Sequence, residues 1–189
     1  MNEKLEAILN RTRARKPGFE YILNHLSSID HPVILETGCI RKLDDAEFDG
    51  YSTVIWDLFL QEHPGTGTSV DINPKAVKLA SSQVQCMEVV HADSLQYLYH
   101  RSLENGPLID VLYLDSLDFF FFNRMESAMH HLTELCLIHT HMKPGGLVAV
   151  DDCVGYPDRL SGKGMIIAKL METLEKPLVH VGYQHIWKW

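Results

Sequence analysis

The sequence lacks several patterns that would narrow its function at once. Its four cysteines are scattered and form no C-x-x-C pair, so neither a zinc knuckle nor a disulfide framework is indicated. It has no H-E-x-x-H motif, and no G-x-G-x-x-G follows the first predicted strand. The N-terminus has no apolar signal core, and no apolar run is long enough to cross a bilayer. We therefore expect a cytoplasmic protein without a membrane partner.

An excess of positive charge is also missing. The chain has 17 Lys and Arg against 25 Asp and Glu, a formal charge of -8, which argues against nucleic acid as a partner. One local exception is basic, with Arg11, Arg13, Arg15 and Lys16. This stretch either touches a phosphate-rich partner or, as we favour, is the solvated face of an amphipathic helix.

The alternation of apolar runs and helical periods predicts the fold class. With 189 residues, 46% of them hydrophobic, the chain is expected to form one domain over 1–189, with N-terminal helices in 1–30 and the core in 31–189. Strands alternating with helices indicate an α/β, doubly wound, mostly parallel sheet in three α/β/α layers, closed by a C-terminal antiparallel hairpin. The seven predicted strands lie at 33–36, 68–71, 87–91, 111–114, 147–150, 178–181 and 184–189.

Acidic side chains follow the predicted parallel strands. Glu36 ends the first, and Asp71, Asp93, Asp115 and Asp151 end the next four. All strands of a parallel sheet point the same way, so these acids are expected on one rim, where ligands bind. A sheet held by burial alone does not need such a rim, whereas a site for hydroxyls, an ammonium group or a metal does.

Individual positions on this rim suggest a nucleotide-like ligand. Gly38 allows a ligand to approach the backbone closely, and Asp71 can accept hydrogen bonds from both hydroxyls of a ribose. Asp93 and Ser94 would then lie near an adenine amino group, although Asp93 can equally cap the next helix. Ser52 starts a helix whose backbone N–H groups face the same rim.

Five segments occur in the order found in a known family: LETGC at 35–39, SVDINP at 69–74, ADS at 92–94, LD at 114–115 and MKPGG at 142–146. In this order they resemble the motifs of class I S-adenosylmethionine-dependent methyltransferases, which have a Rossmann-like fold. The chain departs from the family in its glycine loop, where Gly38 is followed by Cys39 and Ile40. The residues that the resemblance assigns to S-adenosylmethionine are Glu36, Thr37, Gly38, Ser52, Asp71, Ile72, Asp93, Ser94 and Asp115.

Asp115 after the fourth strand, with Asp151 and Asp152 after the fifth, is similar to the cation-dependent small-molecule O-methyltransferases. That resemblance implies a Mg²⁺ ion held by these three acids, with Asp115 and Asp118 as candidate catalytic residues. The alternative is that the acids cap helices, or that Asp115 contacts the cofactor's ammonium. Tyr156, Arg159 and Lys163, on a loop with several glycines, are candidates to close over an acidic or hydroxylated substrate; the alternative is an ordinary surface loop.

The sequence thus predicts an enzyme that methylates a small-molecule hydroxyl. Two alternatives stay open: a non-catalytic cofactor-binding or scaffold protein of the same fold, and a nucleotide-dependent oxidoreductase, which the missing glycine motif disfavours. A homodimer is also open, because an apolar helix face serves either a core or an interface.

Overall fold

The structure is a computed structural model that describes residues 3–43, 51–154 and 161–189. Two 3-10 turns accompany its helices, at Arg13–Arg15 and His139–His141. The helices are α1 Glu3–Arg11, α2 Lys16–Leu26, α3 Ser52–Glu62, α4 Pro74–Ser81, α5 Ser94–Ser102, α6 Arg124–Ile138 and α7 Met165–Thr173. The strands are β1 Val33–Thr37, β2 Thr66–Asp71, β3 Met87–His91, β4 Ile109–Leu114, β5 Met142–Val150, β6 Cys153–Val154, β7 Ser161–Gly162, β8 Leu178–Val181 and β9 His185–Lys188.

The large sheet has seven strands in the order β3-β2-β1-β4-β5-β9-β8. Its first five strands are parallel, β9 runs antiparallel to β5, and β8 runs antiparallel to β9. The predicted mostly parallel sheet with a closing antiparallel hairpin is confirmed. The sheet begins with β1 at its centre, continues through β2 and β3 on one side, and then through β4 and β5 on the other. The strand order therefore reverses between β1 and β4, where a crevice opens beyond the strand ends.

Both faces of the central strand β4 are covered, as expected for a parallel sheet. Val111 and Tyr113 join an apolar cluster with α1, α2 and α3, whereas Leu112 and Leu114 join a second cluster with α6 and α7. Successive residues of a strand point to opposite faces, so one continuous apolar run supplies both layers. The three-layer arrangement is confirmed.

The N-terminal segment, predicted to be helical, forms two helices joined by a 3-10 turn. Helix α1 ends at Arg11, and Pro17 lies in the first turn of α2. Proline suits that position because its missing N–H is not needed there. Phe19 of α2 then reaches the core, with its ring centroid 5.4 Å from that of Trp56.

Two further features were not predicted. Strand β5 begins at Met142 instead of residue 147, and β6 pairs with β7 in a small antiparallel hairpin just after β5. In the part of the chain that the structure describes, no helix has the length and apolar character needed to cross a membrane.

Candidate functional site

The carboxyl ends of β1, β4 and β5 are in register. Thr37 pairs with Leu114, and Leu114 pairs with Val150, so Gly38, Asp115 and Asp151 begin the loops side by side. The sequence predicted that the acids at the strand ends would share this rim. The pairing registers of β1 with β2 and β4, and of β4 with β5, place Asp71, Asp115 and Asp151 there.

Gly38 lies against the neighbouring strand end. Its φ is +84°, and a Cβ atom added there would lie 2.5 Å from the carbonyl oxygen of Asp115, so only glycine fits this turn without strain. The backbone N–H of the next residue, Cys39, donates to Oδ2 of Asp71 across 3.0 Å. The loop after β1 is therefore drawn onto the end of β2.

Asp71 is held by backbone donors from two loops. Besides Cys39, the N–H of Asn73 donates to Oδ1 of Asp71 across 2.7 Å, while the side chain of Asn73 caps α4. The carboxylate is thus oriented before any ligand binds. Beside it Ile72 is 66% exposed, which is unusual for a large apolar side chain next to a sheet.

A small polar cavity of about 10 Å³ lies at this point, which is room for about one water molecule. It is far below the roughly 300–1,000 Å³ typical of ligand pockets. Gly38, Ser52, Asp71 and Asp115 line it, so four predicted cofactor residues meet at one place. The remaining lining residues are Cys39, Arg41 and Ser116.

Glu36 and Thr37, which were also assigned to the cofactor, point elsewhere. The side chain of Glu36 is fully buried and accepts hydrogen bonds from Thr53, Trp56 and Ser69, the two hydroxyls at 2.6 Å and the indole at 3.0 Å. Burial raises its pKa, and these hydrogen bonds oppose the shift. The prediction that Glu36 faces the ligand is corrected: its carboxylate joins β1, β2 and α3.

Thr37 is likewise buried, and its hydroxyl donates to Oε2 of Glu134 across 3.1 Å. Oε1 of the same carboxylate accepts from Ser116 across 2.7 Å and lies 3.3 Å from Nε2 of His130. Burial alone would raise the pKa of Glu134, but the hydrogen bond with His130 and the nearby imidazoles lower it. Glu134 therefore ties α6 to the ends of β1 and β4.

Asp93 and Ser94 lie outside the cavity lining. Oδ1 of Asp93 accepts from the N–H of Gln96 across 3.1 Å and caps α5. The hydroxyl of Ser94 lies 3.2 Å from Nε2 of His130. The helix-capping alternative considered for Asp93 is therefore observed.

The three acids proposed for a metal do come together. One side-chain oxygen from each of Asp115, Asp151 and Asp152 lies within 4.8 Å of the others. Asp152 has a φ of +48°, a left-handed conformation that turns the chain directly after β5. The sheet register and this turn together create the cluster.

Two cationic side chains already occupy this acidic cluster. The ammonium of Lys163 donates to Oδ1 of Asp115 and pairs with Oδ2 of Asp152 across 2.9 Å. Nε of Arg15 donates to Oδ2 of Asp151 across 2.8 Å, and its Nη2 lies 3.2 Å from Oδ1 of Asp152.

The aromatic side chain of Tyr183 completes the cluster. Its hydroxyl donates to Oδ1 of Asp152 across 2.6 Å, and the guanidinium of Arg15 lies 4.3 Å from the centre of its ring. A cation over an aromatic face is attracted by the ring quadrupole. Tyr183 therefore supports Arg15 and Asp152 at the same time.

The pKa values in the cluster follow these contacts. Burial acts to lower the pKa of Lys163, but Asp115 and Asp152 outweigh it and raise the pKa. Burial acts to raise the pKa of Asp152, but mainly Lys163 and Tyr183 bring it down to about 2. For Asp151, burial prevails and raises the pKa, although Arg15 opposes it.

Magnesium does not fit this arrangement, although the donor set has the right chemistry. Mg²⁺ needs about six oxygen ligands at roughly 2.0–2.1 Å in octahedral geometry. Oδ1 of Asp115 and Oδ2 of Asp152 are both bound to one buried ammonium, that of Lys163. An ion between them would have to displace Lys163, whose side chain is fully buried.

The other predicted site residues have different outcomes. Asp118 is partly exposed, and its Oδ2 lies 2.7 Å from Nη1 of Arg41. Lys163 was expected on a loop that closes over the substrate, but it lies in the acidic cluster beneath the surface. Tyr156 and Arg159 lie outside the described residues.

Sequence reasoning missed Arg15, Tyr183 and Glu134. The basic N-terminal stretch was the available signal for Arg15, but its amphipathic pattern favoured a solvated helix face. This interpretation is wrong for Arg15, because its exposed fraction is 6%. Its partner Asp151 is 136 positions away in the chain, and no local pattern links the two.

Comparison with known proteins identifies similar folds among solved structures but no relative by sequence. No protein-family profile and no curated protein sequence matches the chain. Among solved structures it is similar to MycE, a methyltransferase of the mycinamycin biosynthetic pathway in complex with Mg, S-adenosylhomocysteine (SAH) and mycinamycin VI. The identity is 17% and the TM-score 0.62, over 92% of this chain and 48% of MycE. The chain therefore spans about half the length of MycE.

Two further structures match over more of their own length. An O-methyltransferase from Bacillus cereus in complex with SAH has 15% identity and a TM-score of 0.61, over 100% of this chain and 92% of that one. A 1,6-didemethyltoxoflavin N1-methyltransferase from Burkholderia thailandensis, with bound 1,6-didemethyltoxoflavin and SAH, has 16% identity and a TM-score of 0.52, over 95% and 79% of the two chains.

The fold is that of the S-adenosylmethionine-dependent methyltransferases, Rossmann-like with a C-terminal antiparallel pair. The predicted resemblance is confirmed at the level of the fold. These neighbours include enzymes that act on oxygen and on nitrogen.

Proposed function

We propose that this protein is an S-adenosylmethionine-dependent methyltransferase that methylates a hydroxyl group of a small molecule. The proposal rests on the cavity lined by Gly38, Asp71 and Asp115 at the point where the strand order reverses. This is where an α/β sheet of this type binds its ligand. The similar folds in complex with SAH support the cofactor.

The proposed cofactor contacts follow from this cavity. Asp71, already oriented by two backbone N–H groups, would accept hydrogen bonds from the ribose hydroxyls. Ile72, exposed beside it, would cover one face of the adenine. We assign the adenine amino group to Oδ2 of Asp93, whose Oδ1 caps α5, with Ser94 close by. The backbone around Gly38 and Ser52 would meet the methionine part.

The chemistry assigned to the chain concerns one proton. When bound, S-adenosylmethionine supplies a methyl group on a positively charged sulfur. The acceptor oxygen bonds to the methyl carbon in line with the carbon–sulfur bond, and the sulfur leaves. The chain must hold the acceptor in that line and take up its proton, and orientation alone contributes much of such a rate. Asp115 is the carboxylate that both lines the cavity and belongs to the acidic cluster, so we assign the proton to it.

Magnesium assistance, which the sequence resemblance implied, is not part of this proposal. Among the described residues, the ammonium of Lys163 pairs with Asp115. Asp118, the other candidate catalytic residue, is paired with Arg41 at the edge of the cavity and is assigned no proton.

Calorimetric titration with SAH tests the cofactor. We expect micromolar binding to the wild type and a loss of about tenfold or more in Asp71→Ala, because a charged hydrogen bond contributes about 1.5–3 kcal/mol. Asp30→Ala is the matched control, since Asp30 lies on an exposed turn. Release of SAH from S-adenosylmethionine in the presence of small phenols and sugars then tests transfer.

A non-catalytic binding protein of the same fold is the second candidate, favoured by the small size of the cavity. It would bind SAH with the same dependence on Asp71 and release none from S-adenosylmethionine with those acceptors. No binding of SAH by the wild type would remove the methyltransferase proposal.

A further inference from the structure

Lys163 is fixed in place by the chain on either side of it. It follows β7, and β7 pairs with β6 so that Gly162 lies opposite Cys153. Gly162 has a φ of +91° and packs against the carbonyl oxygen of Asp152, while a Cβ atom at Gly164 would lie 2.5 Å from Sγ of Cys153. Only glycine permits these approaches, so the backbone directs Lys163 toward the ends of β4 and β5.

The ammonium that reaches this point has no access to solvent. The side chain of Lys163 is 0% exposed, and its nitrogen contacts Asp115 and Asp152. A buried charge is tolerated only when it is paired and hydrogen-bonded. The position of this ammonium is therefore set by the two carboxylates, and it cannot relax outward as a surface lysine does.

The acidic cluster contains three carboxylates and two cationic side chains. Asp115, Asp151 and Asp152 carry three negative charges when ionised, and Lys163 with Arg15 supplies two positive ones. A divalent ion held by the same acids would supply the same two. One oxygen, Oδ1 of Asp151, is buried and has no hydrogen-bond partner among the described residues.

We infer that Lys163 and Arg15 take the place of a divalent cation in this protein, and that its acidic cluster works without a metal ion. In that role Lys163 is a positioning residue. It holds Oδ1 of Asp115, and Asp115 also lines the cavity. The inference concerns the cluster alone and does not depend on methyl transfer.

Manganese binding tests this inference, because Mn²⁺ is detected by electron paramagnetic resonance and uses the same oxygen ligands as Mg²⁺. The wild type, treated with a chelator, is titrated with Mn²⁺ with and without SAH. We expect no stoichiometric site below millimolar concentration and a melting temperature unchanged by Mn²⁺. One micromolar site in the wild type would overturn the inference.

The variant Lys163→Met removes the charge and keeps most of the side-chain volume. It leaves the three carboxylates short of one positive charge, so we expect it to gain a Mn²⁺ site at least about tenfold tighter than any in the wild type. Its melting temperature should rise when Mn²⁺ is added, because a ligand that binds only the folded state stabilises it. A folded Lys163→Met protein that binds no Mn²⁺ would also overturn the inference.

Two matched variants separate charge from structure. Lys169→Met removes an exposed lysine that pairs with Glu172 across 2.5 Å, and it should gain no Mn²⁺ site. Arg15→Met removes the second cation of the cluster and should gain one, so it replaces Lys163→Met if that variant does not fold. The SAH titrations on the wild type report on the proposed function independently of these results.

Discussion

Nε1 of Trp56 donates a hydrogen bond to Oε1 of Glu36 across 3.0 Å, within the core. The other oxygen, Oε2, accepts from the hydroxyls of Thr53 and Ser69. This acid at the end of the first strand therefore holds a helix and the next strand together. Its place in the sequence suggested contact with a ligand, whereas its hydrogen bonds indicate a role in stability.

Replacing Glu36 by alanine should destabilise the protein strongly. The donors on Trp56, Thr53 and Ser69 would stay buried without an acceptor, and each such donor costs about 1–3 kcal/mol. We expect the free energy of unfolding, measured by urea denaturation, to fall by about 3 kcal/mol or more. Glu62 lies at the exposed end of α3, the helix that carries Thr53 and Trp56. Glu62→Ala should change the free energy of unfolding by less than about 0.5 kcal/mol. A stable Glu36→Ala protein that no longer binds SAH would return Glu36 to the cofactor site.

Asp118 and Arg41 connect the loops that follow β4 and β1 at the edge of the cavity. Both are partly exposed, and pairs of this kind contribute only about 0–1 kcal/mol. Asp118→Asn removes the charge that holds Arg41, so we expect the two loops to separate more often. The association and dissociation rates of SAH should then rise together. The dissociation constant should change by less than about fivefold, because the pair contributes so little energy. Stopped-flow fluorescence measures both rates. Unchanged rates would show that the pair does not control entry.

Glu134 is expected to control the protonation of His130. The hydrogen bond from His130 to this carboxylate raises the pKa of the imidazole above its ordinary value of about 6.5. In Glu134→Gln the acceptor loses its charge, and the pKa of His130 should fall back toward that value. NMR titration of the imidazole measures it. Glu126→Gln, four residues before His130, should lower the pKa less, because that side chain acts on His130 only through its charge.

His131 should make stability depend on pH. Burial is the main reason that its pKa is lowered to about 4, while Glu134 opposes the shift and Lys163 and His130 add to it. Between pH 4 and about 6.5 the unfolded chain then binds more protons than the folded one, so stability rises with pH and is fully present above 6.5. We expect His131 to account for a loss of about 3 kcal/mol between pH 7 and pH 4.

The variant His131→Leu isolates this contribution from that of the carboxylates. Its stability, measured by urea denaturation across the same range, should fall less steeply toward pH 4. His139→Leu, on the exposed turn after α6, is the matched control. Equal slopes for the wild type and His131→Leu would mean that folding does not lower the pKa of His131.

The sequence by itself determined the layers of the fold and the rim of acids. Continuous apolar runs such as β4 can only be buried on both faces, and a parallel sheet brings its strand ends to one edge. Local periodicity and turn residues carry this information, so the seven strands and the positions of Asp71, Asp115 and Asp151 followed from it.

Tertiary structure alone decided which acids face the cavity and what neutralises them. Glu36 and Asp71 both end strands, but only the packing of α3 turns Glu36 into the core. Arg15 reaches Asp151 over 136 residues, and Lys163 is directed inward by a two-strand hairpin with no apolar period of its own. Such contacts depend on side-chain reach and burial in the folded state, which the spacing of residues along the chain does not record.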